Sequence, residues 1–193
     1  MIILIGGAGC VGKTKLAQRL LERYKFPYLS LDHLKMGIIR SGADCGFTAE
    51  SRDELISKKL WPIVRGIIMT AVENRQNLII EGCYLPPDKI AALPAEYREH
   101  IISFYLSLGY TYAQEHYDEI LAHRSDIEAR LYPEERSAKE IAEENDRVAM
   151  ICRISGAKCF IIENDYETEL NSVVEWVDGE VEKNTLTHRF TIR

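Results

Sequence analysis

The sequence predicts an α/β protein in three layers, with a five-stranded parallel sheet flanked by helices. Three observations predict it. Five short apolar runs, near residues 2–5, 26–31, 78–80, 101–106 and 159–162, lack the polar alternation of a half-exposed strand. Helical segments separate these runs, and strands alternating with helices build a parallel sheet. The residues that can carry chemistry cluster just after the strands, where such sheets bind ligands.

Ile2-Ile3-Leu4-Ile5 opens the sheet and passes directly into glycines. Leu16, Ala17, Leu20, Leu21 and Tyr24 then recur at helical spacing, with Lys15, Gln18, Arg19 and Glu22 between them. Phe26-Pro27-Tyr28-Leu29-Ser30-Leu31 reads as the second strand, ending at Asp32. From about 33 to 76 the pattern is helical and interrupted. Ser51-Arg52-Asp53-Glu54 fits a capping box, and Leu55, Ile56, Leu60, Val64, Ile67, Ile68 and Ala71 continue an apolar face. Pro62 is expected to kink or break that helix. Leu78-Ile79-Ile80 is the third strand, Ile101 to Leu106 the fourth and Cys159 to Ile162 the fifth. Residues 110 to 153 read as helical, dense in both charge signs and short of apolar surface. Leu170, Val173, Val174, Val177 and Val181 mark the last helix, and the tail at 187–193 has the weak alternation of an added edge strand.

The length of 193 residues fits one domain, 1–193. A composition of 46% hydrophobic and 28% charged residues excludes disordered, collagen-like and coiled-coil classes. With 24 Lys+Arg against 30 Asp+Glu, the net charge of -6 argues against nucleic acid as the main partner. A local basic pocket for a phosphorylated ligand is still allowed. Cys10, Cys45, Cys83, Cys152 and Cys159 are odd in number and form no C-x-x-C pair, so free thiols in a reducing compartment are expected. No stretch approaches the roughly 20 apolar residues of a membrane span. The opening apolar run is too short for a signal peptide, so a cytoplasmic location is expected.

Gly7-Ala8-Gly9-Cys10-Val11-Gly12-Lys13-Thr14 matches G-x-x-x-x-G-K-[ST] in full, between a predicted strand and a predicted helix. Glycines let the backbone wrap around phosphate oxygens with its N–H groups pointing inward. The helix beginning near Lys13 adds the positive end of its dipole. Lys13, expected to be exposed in the loop, neutralises the outer phosphates, and the Thr14 hydroxyl can complete the coordination of Mg²⁺. A nucleoside triphosphate is the expected ligand. Cys10 reads as a small residue that the loop tolerates, and its alkylation or oxidation would crowd the cradle.

Together with Tyr28-Leu29-Ser30-Leu31-Asp32 and Ile79-Ile80-Glu81-Gly82, this loop resembles the P-loop small-molecule and nucleoside monophosphate kinase family. That group includes adenylate kinase, shikimate and gluconate kinases, and the zeta-toxin and 2-phosphoglycerate kinase relatives. The resemblance covers most of the chain by layout and is specific at Gly7 to Thr14. It implies a P-loop NTPase fold whose acceptor-binding insertion spans about 33–76, and a lid within about 110–150 that closes over ATP.

By that resemblance Asp32 binds or deprotonates an acceptor hydroxyl; as a residue, it also makes a good helix N-cap. The shikimate-kinase pattern has two acids with one residue between them, and here Ser30 stands at the first position. Glu81 is a candidate to hold Mg²⁺ through water, to position the acceptor, or to orient an attacking group; a polar strand-end residue is the alternative. Arg124, Arg130, Arg136 and Arg147 lie where the family's lids grip the transferring phosphoryl group. Arg124 with Glu128, Asp126 with Arg130 and Lys139 with Glu143 also have the spacing of ordinary helix pairs. Arg124 and Arg130 are the chosen candidates, with Arg136 next because Pro133 marks a turn. Tyr105, Tyr110, Tyr112 and Tyr117 read as core aromatics, and Asn164-Asp165 falls near where the family passes the adenine.

The reading is a Mg²⁺–ATP-dependent kinase acting on a small metabolite or nucleotide acceptor, with a zeta-toxin-like nucleotide-sugar kinase as one form of it. The alternatives are a nucleotide-dependent switch and an ATP-binding regulatory protein. A GTPase would need N-K-x-D after a later strand, and the sequence has none.

Overall fold

All five apolar runs become strands of one sheet in the computed structural model, which describes residues 1–129 and 133–190, the side chains of 186–190 excepted. The strands are β1 (Ile2–Gly7), β2 (Tyr28–Ser30), β3 (Leu78–Glu81), β4 (Ile101–Leu108) and β5 (Cys159–Ile162). They lie in the order β2-β3-β1-β4-β5, and every pairing is parallel. The helices are α1 (Lys13–Tyr24), α2 (Leu31–Arg40), α3 (Asp53–Glu73), α4 (Pro87–Ala91), α5 (Ala95–Arg98), α6 (Tyr110–Glu115), α7 (Tyr117–His123), α8 (Ala138–Ser155) and α9 (Tyr166–Phe190).

The unbroken apolarity of β1 has a direct cause. Ile3 and Ile5 pack into one core with Leu16, Leu20, Phe104 and Val177, whereas Ile2 and Leu4 pack into a second with Leu60, Val64 and Ile68. Successive side chains of a strand point to opposite faces, so a strand covered on both sides is apolar throughout. Phe104 is fully buried, with edge contacts to Phe160 and Trp176 at centroid distances of 5.9 and 5.5 Å. β1 is also the switch point, where the chain places β2 and β3 on one side and β4 and β5 on the other.

Several local expectations are corrected. The second strand is only Tyr28–Ser30, and Asp32 lies in the first turn of α2, whose N-cap is Ser30. The capping box at 51–54 does not form. The Ser51 hydroxyl accepts the Thr48 N–H at 2.9 Å, and Arg52 caps α3 without a side-chain bond. A capping box does form at Ser137 and Glu140, where α8 begins. Pro62 stays inside an unbroken α3. It and Lys58, whose carbonyl the proline leaves without a helical donor, are both on the exposed face, where water can serve that carbonyl.

The tail is no edge strand as far as Phe190, because α9 runs to that residue; 191–193 lie outside the described residues. The 110–153 stretch is not short of apolar surface throughout. Tyr112 and Ala113 of α6, and Ile141, Ala142 and Cys152 of α8, are buried. All five cysteines are free thiols. Among the described residues no helix is long and apolar enough to cross a membrane.

Candidate active site

The carboxyl ends of the strands open into a cleft of about 510 Å³. The loop after β1 supplies Gly9, Cys10, Gly12, Lys13 and Thr14 to its wall. Asp32, Asp53, Glu81 and Cys83 line the side of β2 and β3, and Leu108, Asn164 and Asp165 line the side of β4 and β5. The sheet order therefore sets the two ends of the cleft on opposite sides of the glycine loop.

Two glycines in that loop lie close under side chains from elsewhere in the chain, and one of them is required by its backbone conformation. Gly12 has φ +85°, a left-handed conformation that side-chain-bearing residues rarely adopt, and a Cβ there would overlap the Tyr166 hydroxyl. A Cβ on Gly9 would stand 2.8 Å from Arg136 Nη1. Cys10 holds φ 59° without being glycine, so the loop tolerates some strain at this position.

Lys13 is not exposed, as the sequence reading expected, but buried, with its ammonium donating to the Ala8 carbonyl. Burial pulls its pKa down, yet the neighbouring Cys83 and Glu81 outweigh that and the net direction is up. The lysine is thus held charged inside the loop. The reason lies in the next strand. Glu81 ends β3 opposite Ile5 and Ser30, only 3% exposed, so a carboxylate is buried beside the lysine. Burial raises the pKa of Glu81, with the Ser30 hydrogen bond and Lys13 pulling the other way. Thr14 Oγ1 donates to Glu81 Oε1 at 3.4 Å.

Asp32 forms a small network at the α2 edge of the cleft. Its Oδ1 lies 3.0 Å from Lys35 Nζ and accepts from the Tyr84 hydroxyl at 3.4 Å, while Lys35 donates to that same hydroxyl at 2.8 Å. Burial and then Asp32 push the Tyr84 phenol above its ordinary pKa, so it remains a donor. Asp32 itself keeps a side chain 47% exposed to the cleft.

Of the candidate arginines, Arg124 and Arg136 line the cleft, Arg147 is exposed on α8 away from it, and Arg130 lies outside the described residues. Arg124 Nη2 is 3.8 Å from Glu134 Oε2. Arg136, which ranked behind Arg124 in the sequence, is the arginine against the glycine loop. Its Nε and Nη2 donate to Glu134 at 2.8 and 2.9 Å, and Nη2 lies 3.5 Å from Cys10 Sγ. The Arg136 hydrogen bonds hold the Glu134 carboxyl down to about 2. Lys139 and Glu143 pair at 3.7 Å on the outside of α8, as their spacing predicts.

Tyr166, Glu144 and Asp53 are among the site residues that sequence reasoning missed. Tyr166, at the start of α9, lays its hydroxyl over Gly12 and donates to the Val11 carbonyl at 3.4 Å. Glu144 accepts the Gly9 N–H at 2.8 Å. Asp53, read only as part of a cap, faces the cleft. None carries a local signal, since each reaches the site from a distant part of the chain. The ring pair Tyr112–His116, stacked at 4.2 Å, lines the far end near Asn164.

No protein-family model matches the chain, and no curated protein matches its sequence. Solved structures do match. One is from Chloroflexus aurantiacus, provisionally described as a kinase, with 16% identity, a TM-score of 0.57, and 92% of this chain and 96% of that chain covered. An uncharacterized protein from Eubacterium ventriosum is 15% identical with a TM-score of 0.50, over 93% of this chain and 98% of that one. A shikimate kinase from Bacteroides thetaiotaomicron is 14% identical with a TM-score of 0.47, over 92% and 98%. At these identities the likeness to the Chloroflexus and Eubacterium proteins is one of architecture, a five-stranded parallel sheet flanked by helices.

Proposed function

We propose that the chain is a kinase that transfers the terminal phosphoryl group of Mg²⁺-bound ATP to a hydroxyl of a small acceptor. The observation that carries this reading is the meeting of the complete Gly7–Thr14 loop with Glu81 and Asp32 in one cleft. The provisional description of the Chloroflexus protein as a kinase supports it.

The residues present fit the nucleotide phosphates and the cation. Gly9 and Gly12 leave room that a Cβ would fill, and the loop ends in the N-terminus of α1. Thr14 and Glu81 present a hydroxyl and a carboxylate to one point, hard oxygen donors of the kind Mg²⁺ takes alongside phosphate and water. Thr14 and Glu81 would hold Mg²⁺, which would offset the charge on the transferring group.

The chain's own groups divide the remaining work. Lys13, already charged and buried, leaves the Ala8 carbonyl for a phosphate oxygen. Arg124 and Arg136 supply guanidinium forks to the transferring group. Asp32 receives the acceptor proton, oriented by Tyr84 and Lys35. The acceptor lies between Asp32 and Asp53, and the adenine lies beyond Leu108, beside Asn164 and Asp165.

The test is ADP release across a panel of small hydroxyl compounds, with the best acceptor then assayed on Asp32→Asn. Release is expected to depend on the acceptor. In the variant kcat is expected to fall on the order of 10²-fold, with ATP affinity unchanged. Equal release with and without every acceptor would point to a switch or simple ATPase. A lower melting temperature with normal turnover would make Asp32 structural, and a raised acceptor KM alone would indicate a phosphate acceptor.

A further inference from the structure

The anion cradle of the glycine loop is already engaged by an anion of the chain itself. Glu144 stands on the cleft side of α8 with its side chain 19% exposed. Its Oε1 accepts the Gly9 N–H at 2.8 Å, a contact between residues 135 apart in the sequence. Its Oε2 takes Nη1 of Arg136. Arg136 is held on its other edge by Glu134, so two carboxylates neutralise the arginine nearest the loop. One N–H of the cradle and one guanidinium are therefore both committed to carboxylates.

We propose that Glu144 is an internal competitor for the phosphate cradle, displaced from Gly9 by an entering polyphosphate, which then takes over Arg136. This rests on the reading of residues 7–14 as a phosphate-binding loop. The physical argument is exclusion. A phosphate oxygen and a carboxylate cannot share one N–H donor, and two anions in contact repel each other in a site partly shielded from water. Occupation of Gly9 by Glu144 thus defines a closed state, and apparent affinity falls by the fraction of molecules that are open. The same displacement couples binding to catalysis, because the guanidinium is released only when the competing charge has arrived. Gly9 contributes by having no side chain, which lets Arg136 approach the loop backbone.

The test is calorimetric titration of the whole chain with inorganic tripolyphosphate, without Mg²⁺, comparing wild type with Glu144→Gln and Glu144→Ala. Glutamine keeps the shape and a carbonyl acceptor for Gly9 but removes the charge. Kd is expected to fall about tenfold in Glu144→Ala, the change produced by opening a cradle that is about nine-tenths closed, and to fall by less in Glu144→Gln, which removes the repulsion but keeps an acceptor for Gly9. A measurable wild-type Kd that stays equal or rises in both variants would overturn the competition while leaving the phosphate reading intact. Absence of binding in all three proteins would contradict the phosphate reading itself, and the competition with it. A melting curve taken alongside separates a merely structural Glu144, which lowers the midpoint without tightening Kd.

Discussion

Glu134 shows how far single charges shape this site. Its carboxyl is held down to about 2 by the Arg136 hydrogen bonds, against an ordinary value of 4.5. A depressed carboxylate contributes stability above its unfolded pKa and loses it as the pH falls through the folded value. The contribution of Glu134 is therefore complete above about pH 4.5 and is lost progressively toward pH 2. Acid unfolding of Glu134→Gln is expected to show a shallower loss of stability across that window than the wild type. Superimposable curves would mean that the Glu134–Arg136 pair adds nothing to the fold. Lys13 illustrates the complementary case, in which a buried cation keeps its charge because Cys83 and Glu81 stand beside it. The sequence placed Lys13 in the loop correctly but not its burial, because the groups that hold it come from another strand.

Among the elements, α7 is the part of the expected lid with the least buried surface: Tyr117 and Ile120 are only partly buried against the core. α7 buries no residue, whereas α6 contributes Tyr112 and Ala113 and α8 contributes Ile141 and Ala142 to the core. The lid expected within about 110–150 is thus proposed to be narrower, and its described part is α7 with the residues up to 129. Amide exchange with a non-hydrolysable ATP analogue is expected to slow at 117–129 and to leave α6 and α8 unchanged. Equal exchange with and without the analogue would rule out a closing lid. Strands and long helices were legible in the sequence because apolar periodicity reports burial directly. Their edges were not. Ser51 carries the letters of a capping box, but its hydroxyl is already committed to the Thr48 N–H, and the true box at Ser137 opens a helix whose pattern was masked by its charges. Pro62 lies inside α3 because its face of the helix is wet.

At the scale of the whole molecule, one sheet order determines the site. With β1 in the centre, the glycine loop lies between the carboxylates after β2 and β3 and the polar residues after β4 and β5. The sequence made the loop, Asp32 and Glu81 legible, because each follows an apolar run and strand ends share one edge of the sheet. It could not show Glu144 or Tyr166, which reach Gly9 and Val11 through hydrogen bonds spanning 135 and 155 residues. The central claim is that this loop drives phosphoryl transfer. Its most direct test is single-turnover transfer of a γ-labelled phosphate from ATP to the acceptor found in the panel, in wild type and in Lys13→Met. Methionine keeps an unbranched side chain of similar length in the buried site and removes the charge. Label is expected to reach the acceptor in the wild type and to do so more slowly, on the order of 10²-fold, in a variant that is folded. Equal rates of transfer in the two proteins would contradict the account.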